Sequence, residues 1–342
     1  MIKKCIGCGA ILQDNNPLIE GYTTVLTNDL CKRCFRMKNY GEYEFVTKDN
    51  LEYVKILNNI KNKSCLVLYI VDLLAIPKDI TKIKEYVGNN EIILILNKKD
   101  VLPYKIKDEK LISYFKNYNI FKDIIVISAN KNYNLDLLYS KINKPLVYVV
   151  GNTNAGKSTL INKLIKNYSI DKESSITISP MPSTTLNEIE INLNKFTLID
   201  TPGLVDNSNV LNYVKEEMVK KLIPKQEIKT RTYQLKHKES LIVDTLFRLD
   251  YLNDFKNSFT FFISNDIDIK KISSKKNLEL KDKHIKKIKV GIREDICING
   301  LGFIKVIDPC EVNIYIDKDI EINIKIDGVD NDGNLKKNGK RI

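Results

Sequence analysis

The segment Gly151-Asn152-Thr153-Asn154-Ala155-Gly156-Lys157-Ser158 spells GxxxxGKS, the pattern of a loop that wraps a phosphate chain. Its backbone N–H groups converge on a β-phosphate at the positive end of a helix, Lys157 reaches the β- and γ-phosphates, and Ser158 ligates magnesium. Asn154, Ala155, Gly156 and Thr159 complete the expected phosphate-contacting set. The tetrad Asn97-Lys98-Lys99-Asp100 carries a different chemistry. A carboxylate at Asp100 accepts the two donors that guanine offers and adenine lacks, so an adenine nucleotide leaves a buried charge unpaired. Asn97 is expected to brace that loop and touch the base, the stem of Lys98 to lie along the ring face, and Ser128-Ala129 to offer a backbone N–H to the guanine oxygen. Asp200-Thr201-Pro202-Gly203 supplies a carboxylate that holds magnesium through water and a Gly203 amide that meets the γ-phosphate. In Ser183-Thr184-Thr185 a threonine hydroxyl becomes the second magnesium ligand, with Thr185 expected and Thr184 the alternative. The ligand is then GTP or GDP with Mg2+, and the catalytic set is Lys157, Thr185 and Gly203. Leu204 stands where many such enzymes carry a glutamine that orients the attacking water, so slow turnover accelerated by a partner or a further cation is expected.

These motifs run in a rotated order. The base-reading segments precede the phosphate loop, and the γ-phosphate segment comes last, whereas an ordinary GTPase begins with the phosphate loop. Rotation keeps every nucleotide contact but places the γ-phosphate segment next to whatever domain follows, which points to a switch.

The loops need a scaffold that delivers all of them to one side. From residue 44 to 206, short apolar runs alternate with amphipathic stretches, which predicts a parallel sheet covered by helices. Strands are expected at Cys65 to Val71, Ile92 to Leu96, Ile124 to Ile127 and Leu146 to Val150, with a hairpin over Ile189 to Leu193 and Phe196 to Ile199. Helices are expected near Ile80 to Tyr86, Lys107 to Tyr118, Leu135 to Ile142 and Lys157 to Ile165. Each motif then falls at the carboxyl end of a strand, where open α/β sheets bind ligands. Beyond residue 206, Val210 to Ile223 reads as helix. Ser258 to Ile263, Ile285 to Ile292, Gly302 to Ile307 and Val312 to Ile316 read as strands of a separate β-rich α+β domain. The expected division is a four-cysteine module over residues 1–43, a permuted GTPase core over 44–206, a β-rich domain over 207–326 and a disordered basic tail over 327–342.

Cys5-Ile6-Gly7-Cys8 and Cys31-Lys32-Arg33-Cys34 are two CxxC pairs, separated by slightly more than the usual zinc-ribbon interval. Four thiolates close a tetrahedral site, so a structural Zn2+ in a treble-clef-like module is expected, with iron or no metal as alternatives. So short a segment depends on the metal for its folding energy. Cys65, Cys297 and Cys310 sit in apolar surroundings and read as inert buried thiols.

A net charge of +12 and a pI near 9.1 suit an anionic partner such as RNA, although the abundance of Lys, Asn and Ile also fits biased coding composition. Lys32, Arg33, Arg36 and Lys38 are one basic cluster; Lys275, Lys276, Lys281, Lys283, Lys286, Lys287 and Lys289 are another, opposed only by Glu279 and Asp282. Each is either an RNA-facing surface or a solvated face. No run reaches the ~18 apolar residues of a membrane helix and the start lacks a signal-peptide core, so a cytoplasmic protein without membrane association is expected.

Taken together, the CxGC and CxRC pairs, the rotated nucleotide motifs and the carboxy-terminal region resemble the circularly permuted GTPases of the YqeH type, over essentially the whole chain. The resemblance implies a GTPase that hydrolyses GTP to GDP and phosphate as a switch in assembly of the small (30S) ribosomal subunit. Its implied partners are rRNA or ribosomal proteins, with a monomer favoured. It also implies a K+ ion at Asn154, the asparagine of GxxNxGKS in potassium-stimulated relatives. Ser183 departs from a usual glycine, Asp72-Leu73-Leu74 from a longer acidic motif, and Phe303 from a usual tryptophan. The alternatives are an RNA-binding scaffold that keeps GTP or GDP without turnover, and a membrane-trafficking GTPase, for which lipidation and anchor signals are lacking.

Overall fold

The computed structural model describes residues 3–6, 10–15, 21–32, 35, 57–77, 79–169, 189–201, 203, 206–275, 279–292 and 294–326. The expected basic tail, over 327–342, lies outside them. The chain divides into two compact units, one of residues 1–73, 79–99 and 115–206, the other of 74–78, 100–114 and 207–342.

The first unit is built on a six-stranded sheet. Its strands are β1 (Leu66–Asp72), β2 (Glu91–Asn97), β3 (Asp123–Val126), β4 (Leu146–Gly151), β5 (Ile189–Leu193) and β6 (Phe196–Asp200). Their spatial order is β3-β2-β1-β4-β6-β5, with only the β5/β6 pair antiparallel. The runs LVLYIVD and EIILILN are apolar on both faces because helices cover both sides of a parallel sheet, and both strands are almost wholly buried. Its helices are α1 (Ile83–Val87), α3 (Leu135–Lys141) and α4 (Lys157–Tyr168), while α2 (Asp108–Phe115), between β2 and β3 in sequence, falls in the second unit but for Phe115. Leu160, Ile161 and Leu164 of α4 and Leu135 and Leu138 of α3 join Leu68, Ile70, Ile93, Ile95, Val147 and Val149 in one core. A mixed α/β, P-loop GTPase-like fold is thus present. The sheet grows from β1 through β2 to β3 and then restarts at β4 on the other side of β1. Open α/β sheets bind ligands at such a reversal, outside the carboxyl ends of the two strands, here β1 and β4.

Two expected helices are shorter or divided. Ile80 to Tyr86 is a 3-10 turn (Ile80–Lys82), capped by the Asp79 carboxylate on Thr81 N–H, followed by α1. The Lys107 to Tyr118 helix is reduced to α2.

In the second unit, strands β7 (Arg231–Leu235), β8 (Glu239–Val243), β9 (Phe247–Tyr251), β10 (Asn257–Ile263), β11 (Ile269–Ser273), β12 (His284–Val290), β13 (Glu294–Ile298), β14 (Gly302–Val306), β15 (Cys310–Ile316) and β16 (Ile322–Ile326) form two antiparallel sheets. Their orders are β16-β13-β14-β10-β7 and β11-β8-β9-β15-β12. Phe259, Phe261, Ile296 and Ile304 from the first meet Leu241, Phe247, Leu249, Val312 and Ile314 from the second in a shared core. The expected helix over Val210 to Ile223 is broken. A 3-10 turn (Val210–Tyr213), capped by Asn209 on Leu211 N–H, is separated from α5 (Glu216–Leu222) by extended Val214 and Lys215. The Val210 N–H, which has no partner within a helix's own first turn, donates to Asn299 O at 3.0 Å. The Cys65 and Cys310 thiols are buried and pushed up to about 11 by desolvation, as expected of inert thiols, whereas Cys297 is only half-buried.

The outer face of the second sheet holds Arg248, whose side chain is wholly buried. Its Nε lies 2.5 Å from Asp250 Oδ1, and its terminal nitrogens donate to the carbonyls of Glu279 at 3.2 Å and Ser274 at 3.3 Å. Removing one partner of a buried pair leaves an uncompensated charge. Asp250→Ala is therefore expected to destabilise this unit by about 3–5 kcal/mol in denaturant unfolding, whereas replacing both with apolar residues costs far less.

Candidate functional site

The phosphate loop begins where β4 ends, and backbone packing dictates its glycines. Gly151 lies in register with Ile70 of β1, and a Cβ there would stand 2.4 Å from Ile70 O. Gly156 has φ +96, and its Cβ would stand 2.2 Å from Asn97 Nδ2. Gly156 is also the N-cap of α4, with no side-chain cap, and the positive end of a helix so begun suits an anion. Asn154, the expected potassium ligand, sits at φ +65, and Ala155 N–H donates to Asn152 O at 3.2 Å, which closes the loop's tight turn.

Lys157 is buried beneath this loop, its Nζ 2.9 Å from Gly151 O and 3.4 Å from Asn152 O. Burial lowers its pKa to about 8, against the opposing attraction of Asp200. A phosphate arriving in the loop stabilises the ammonium in the same direction as that carboxylate. Asp200 is buried at the end of β6. The following residue, Thr201, which sequence reasoning did not single out, ties the γ-phosphate segment to β4, its hydroxyl donating to Val149 O at 2.7 Å. Gly203 is buried too. Thr184, Thr185, Pro202 and Leu204 lie outside the described residues.

One amide gathers the base-reading loops. Asn97 is buried at the end of β2, its Nδ2 donating to Ala155 O at 2.9 Å and its Oδ1 accepting from Ala129 N–H at 3.1 Å. The loops after β2, β3 and β4 are thereby joined through a single side chain. Lys98 follows at φ +69, and Lys99 N–H donates to Ile127 O at 3.1 Å. Asp100 lies on the 3-10 turn Lys99–Val101 directly after β2. The Ser128 N–H donates to Tyr133 O at 3.3 Å and Tyr133 N–H returns the bond at 3.0 Å, so a closed loop holds Ser128-Ala129. Asn134, unremarked in the sequence, supports it from φ +57 by donating to Val126 O at 2.9 Å. Asparagine tolerates that backbone region, which was the available signal.

In the amino-terminal segment Cys5 and Cys31 are both buried, and the Cys31 N–H points at Cys5 Sγ at 3.2 Å. Cys8 and Cys34 lie outside the described residues, as do Arg33, Arg36 and Lys38. Among the described residues no group of three or more His, Cys, Asp or Glu is placed to hold a metal.

The carboxy-terminal lysines are divided in their orientation. Lys281 Nζ lies 3.8 Å from Asp250, Lys283 Nζ donates to Leu246 O at 3.1 Å, and Lys286 Nζ donates to Ile320 O. On β12, Lys287 and Lys289 alternate with Lys286 and face outward. Lys276 lies outside the described residues. None of the helices among the described residues is long and apolar enough to cross a membrane.

Removing the central amide should loosen three loops together. Asn97→Ala strands the Ala155 carbonyl and Ala129 N–H at a cost of about 1–3 kcal/mol each if unsatisfied, so calorimetric GDP affinity is expected to fall by at least about tenfold. Gly156→Ala, strained in φ and in contact, is expected to lose about as much.

Residues 146–250 match a family model described as a 50S ribosome-binding GTPase, a match that begins at the first residue of β4. The chain is 32% identical over 358 residues to the protein YqeH of Bacillus subtilis (strain 168), covering 94% of this chain and 98% of that one. It is 28% identical over 248 residues to mouse Nitric oxide-associated protein 1, covering 54% of this chain and 36% of that one. Among solved structures, YjeQ from Thermotoga maritima is 16% identical, with a TM-score of 0.30 over 42% of this chain and 49% of its own. With 32% identity over nearly the whole of both chains, this chain belongs to the YqeH family of circularly permuted GTPases.

Proposed function

We propose that this protein binds GTP with Mg2+, hydrolyses it slowly to GDP and phosphate, and uses the nucleotide state as a switch in assembly of the small ribosomal subunit. The observation that carries the nucleotide reading is the Asn97 side chain, which joins the base-reading loops to the phosphate loop. In this reading Asp100 selects guanine with help from Lys98 and an N–H of Ser128-Ala129. Lys157, the amides of Ala155, Gly156 and Thr159, and Gly203 hold the phosphates. Ser158 and Thr185 ligate Mg2+ directly, Asp200 does so through water, and Asn154 adds K+. The buried, carbonyl-bound Lys157 and the uncapped first turn of α4 fit such a group.

Cys5, Cys8, Cys31 and Cys34 hold a structural Zn2+ in the same reading. An N–H aimed at a buried cysteine sulfur favours the thiolate form that a metal requires. Metal analysis of the purified chain is expected to find one zinc, lost in Cys5→Ser together with amino-terminal protease resistance. The outward lysines of β12 face RNA, so binding is expected to weaken steeply with salt.

Gly203 precedes the second unit by only a few residues, so contact with the γ-phosphate can bias how the following chain is held. The deciding experiment is phosphate release in potassium or sodium buffer, with small or large ribosomal subunits added. Stimulation by potassium and by small subunits is expected. Stimulation by large subunits alone moves the assignment to that particle. Guanine-nucleotide binding without any turnover returns the chain to a non-hydrolysing RNA-binding scaffold.

A further inference from the structure

Asp72, outside the set of proposed nucleotide ligands, lies at the carboxyl end of β1 beside the start of the Asn97-Lys98-Lys99-Asp100 loop. It is the last residue of β1 and stands in register with Asn97 of β2, and the Leu73 N–H donates to Asn97 O at 3.3 Å. Asp72 Oδ2 lies 2.7 Å from Lys98 Nζ. Both side chains are largely shielded, with exposures of 13% and 25%, so solvent screens the pair less than it screens a surface ion pair.

Lys98 has few other constraints on its direction. It occupies the left-handed region at φ +69, sparsely populated for a lysine, between Asn97, fixed by two loops, and Lys99, whose N–H is fixed to Ile127 O. The backbone therefore sets where the stem starts, and the Asp72 carboxylate sets where it ends. A four-carbon stem held at both ends is a wall; one held at a single end sweeps many rotamers and loses entropy when a base arrives.

We propose that Asp72 is a positioning residue for base recognition, presetting the Lys98 stem as one flat wall of the guanine slot before nucleotide arrives. The inference rests on the reading of Lys98 as a base-contacting residue. It concerns ring stacking rather than selection of guanine over adenine, which belongs to Asp100. It also accounts for a single carboxylate at this strand end, since one is enough to hold one ammonium.

A double-mutant cycle tests it: GDP affinity of the full-length wild type, Asp72→Asn, Lys98→Met and the double variant, with inorganic pyrophosphate as a ligand that has no base. Lys98→Met keeps the stem and removes its tether. Each single change is expected to weaken GDP on the order of fivefold to tenfold, and the double change no further, because both break the same link. Pyrophosphate affinity is expected to stay within about twofold throughout, which a general loss of folding would not permit. Losses that multiply in the double variant, an Asp72→Asn affinity equal to wild type, or a parallel loss of pyrophosphate binding overturns the inference. Should Asp72→Asn fail to fold, Lys98→Met alone decides, since unchanged GDP affinity there removes the role of the tether. A wild type that does not prefer guanine nucleotides defeats the underlying functional reading instead, so the two failures are distinguishable.

Discussion

The mutual placement of the loops after β2, β3 and β4 depends on the two hydrogen bonds of Asn97, one to Ala155 O and one from Ala129 N–H. Each of the loops involved is a polar turn at the end of an apolar strand, and none has enough buried surface to fix itself. A primary amide suits the junction because it offers a donor and an acceptor on one rigid plane. Its position constrains its neighbours: Gly156 must lack a side chain because the amide occupies the space that a Cβ would take. The backbone at Gly156 and the identity of the residue at 97 are therefore coupled.

The sheet explains why the rotated chain order is tolerated. Binding requires that β2, β3, β4 and β6 end on one side in a fixed spatial order, and parallel pairing through β1 supplies that order irrespective of where the chain is cut. What rotation alters is the chain's exit. After β6 and Thr201, bonded to β4 through Val149 O, the polypeptide continues into another unit instead of turning back into β1.

Much of the first unit was legible because its signals are local. GxxxxGKS follows an apolar strand, and the expected strands lie within a residue or two of those observed, since hydrophobic runs and turn residues mark them without reference to distant contacts. Thr201 and Asp72 were not, because each acts by meeting a backbone carbonyl or a side chain from another strand. The second unit was read less well. The runs Arg231–Leu235 and Glu239–Val243 are short, charged or mixed, and become strands by pairing with β10 and β9. Likewise, the apolar spacing of Val210 to Ile223 suits one helix and gives no sign of the extended residues Val214 and Lys215 that divide it. Charge counting also treated the lysine-rich stretch as uniform, whereas strand alternation sends Lys286 inward and Lys287 outward.

The Arg248 clamp bears on that stretch in another way. By bonding the carbonyls of Ser274 and Glu279, a guanidinium sealed against the sheet holds both of those residues to β9. Backbone already held at these two points has less freedom left to lose when either residue is bound, so more of any attraction would survive as affinity.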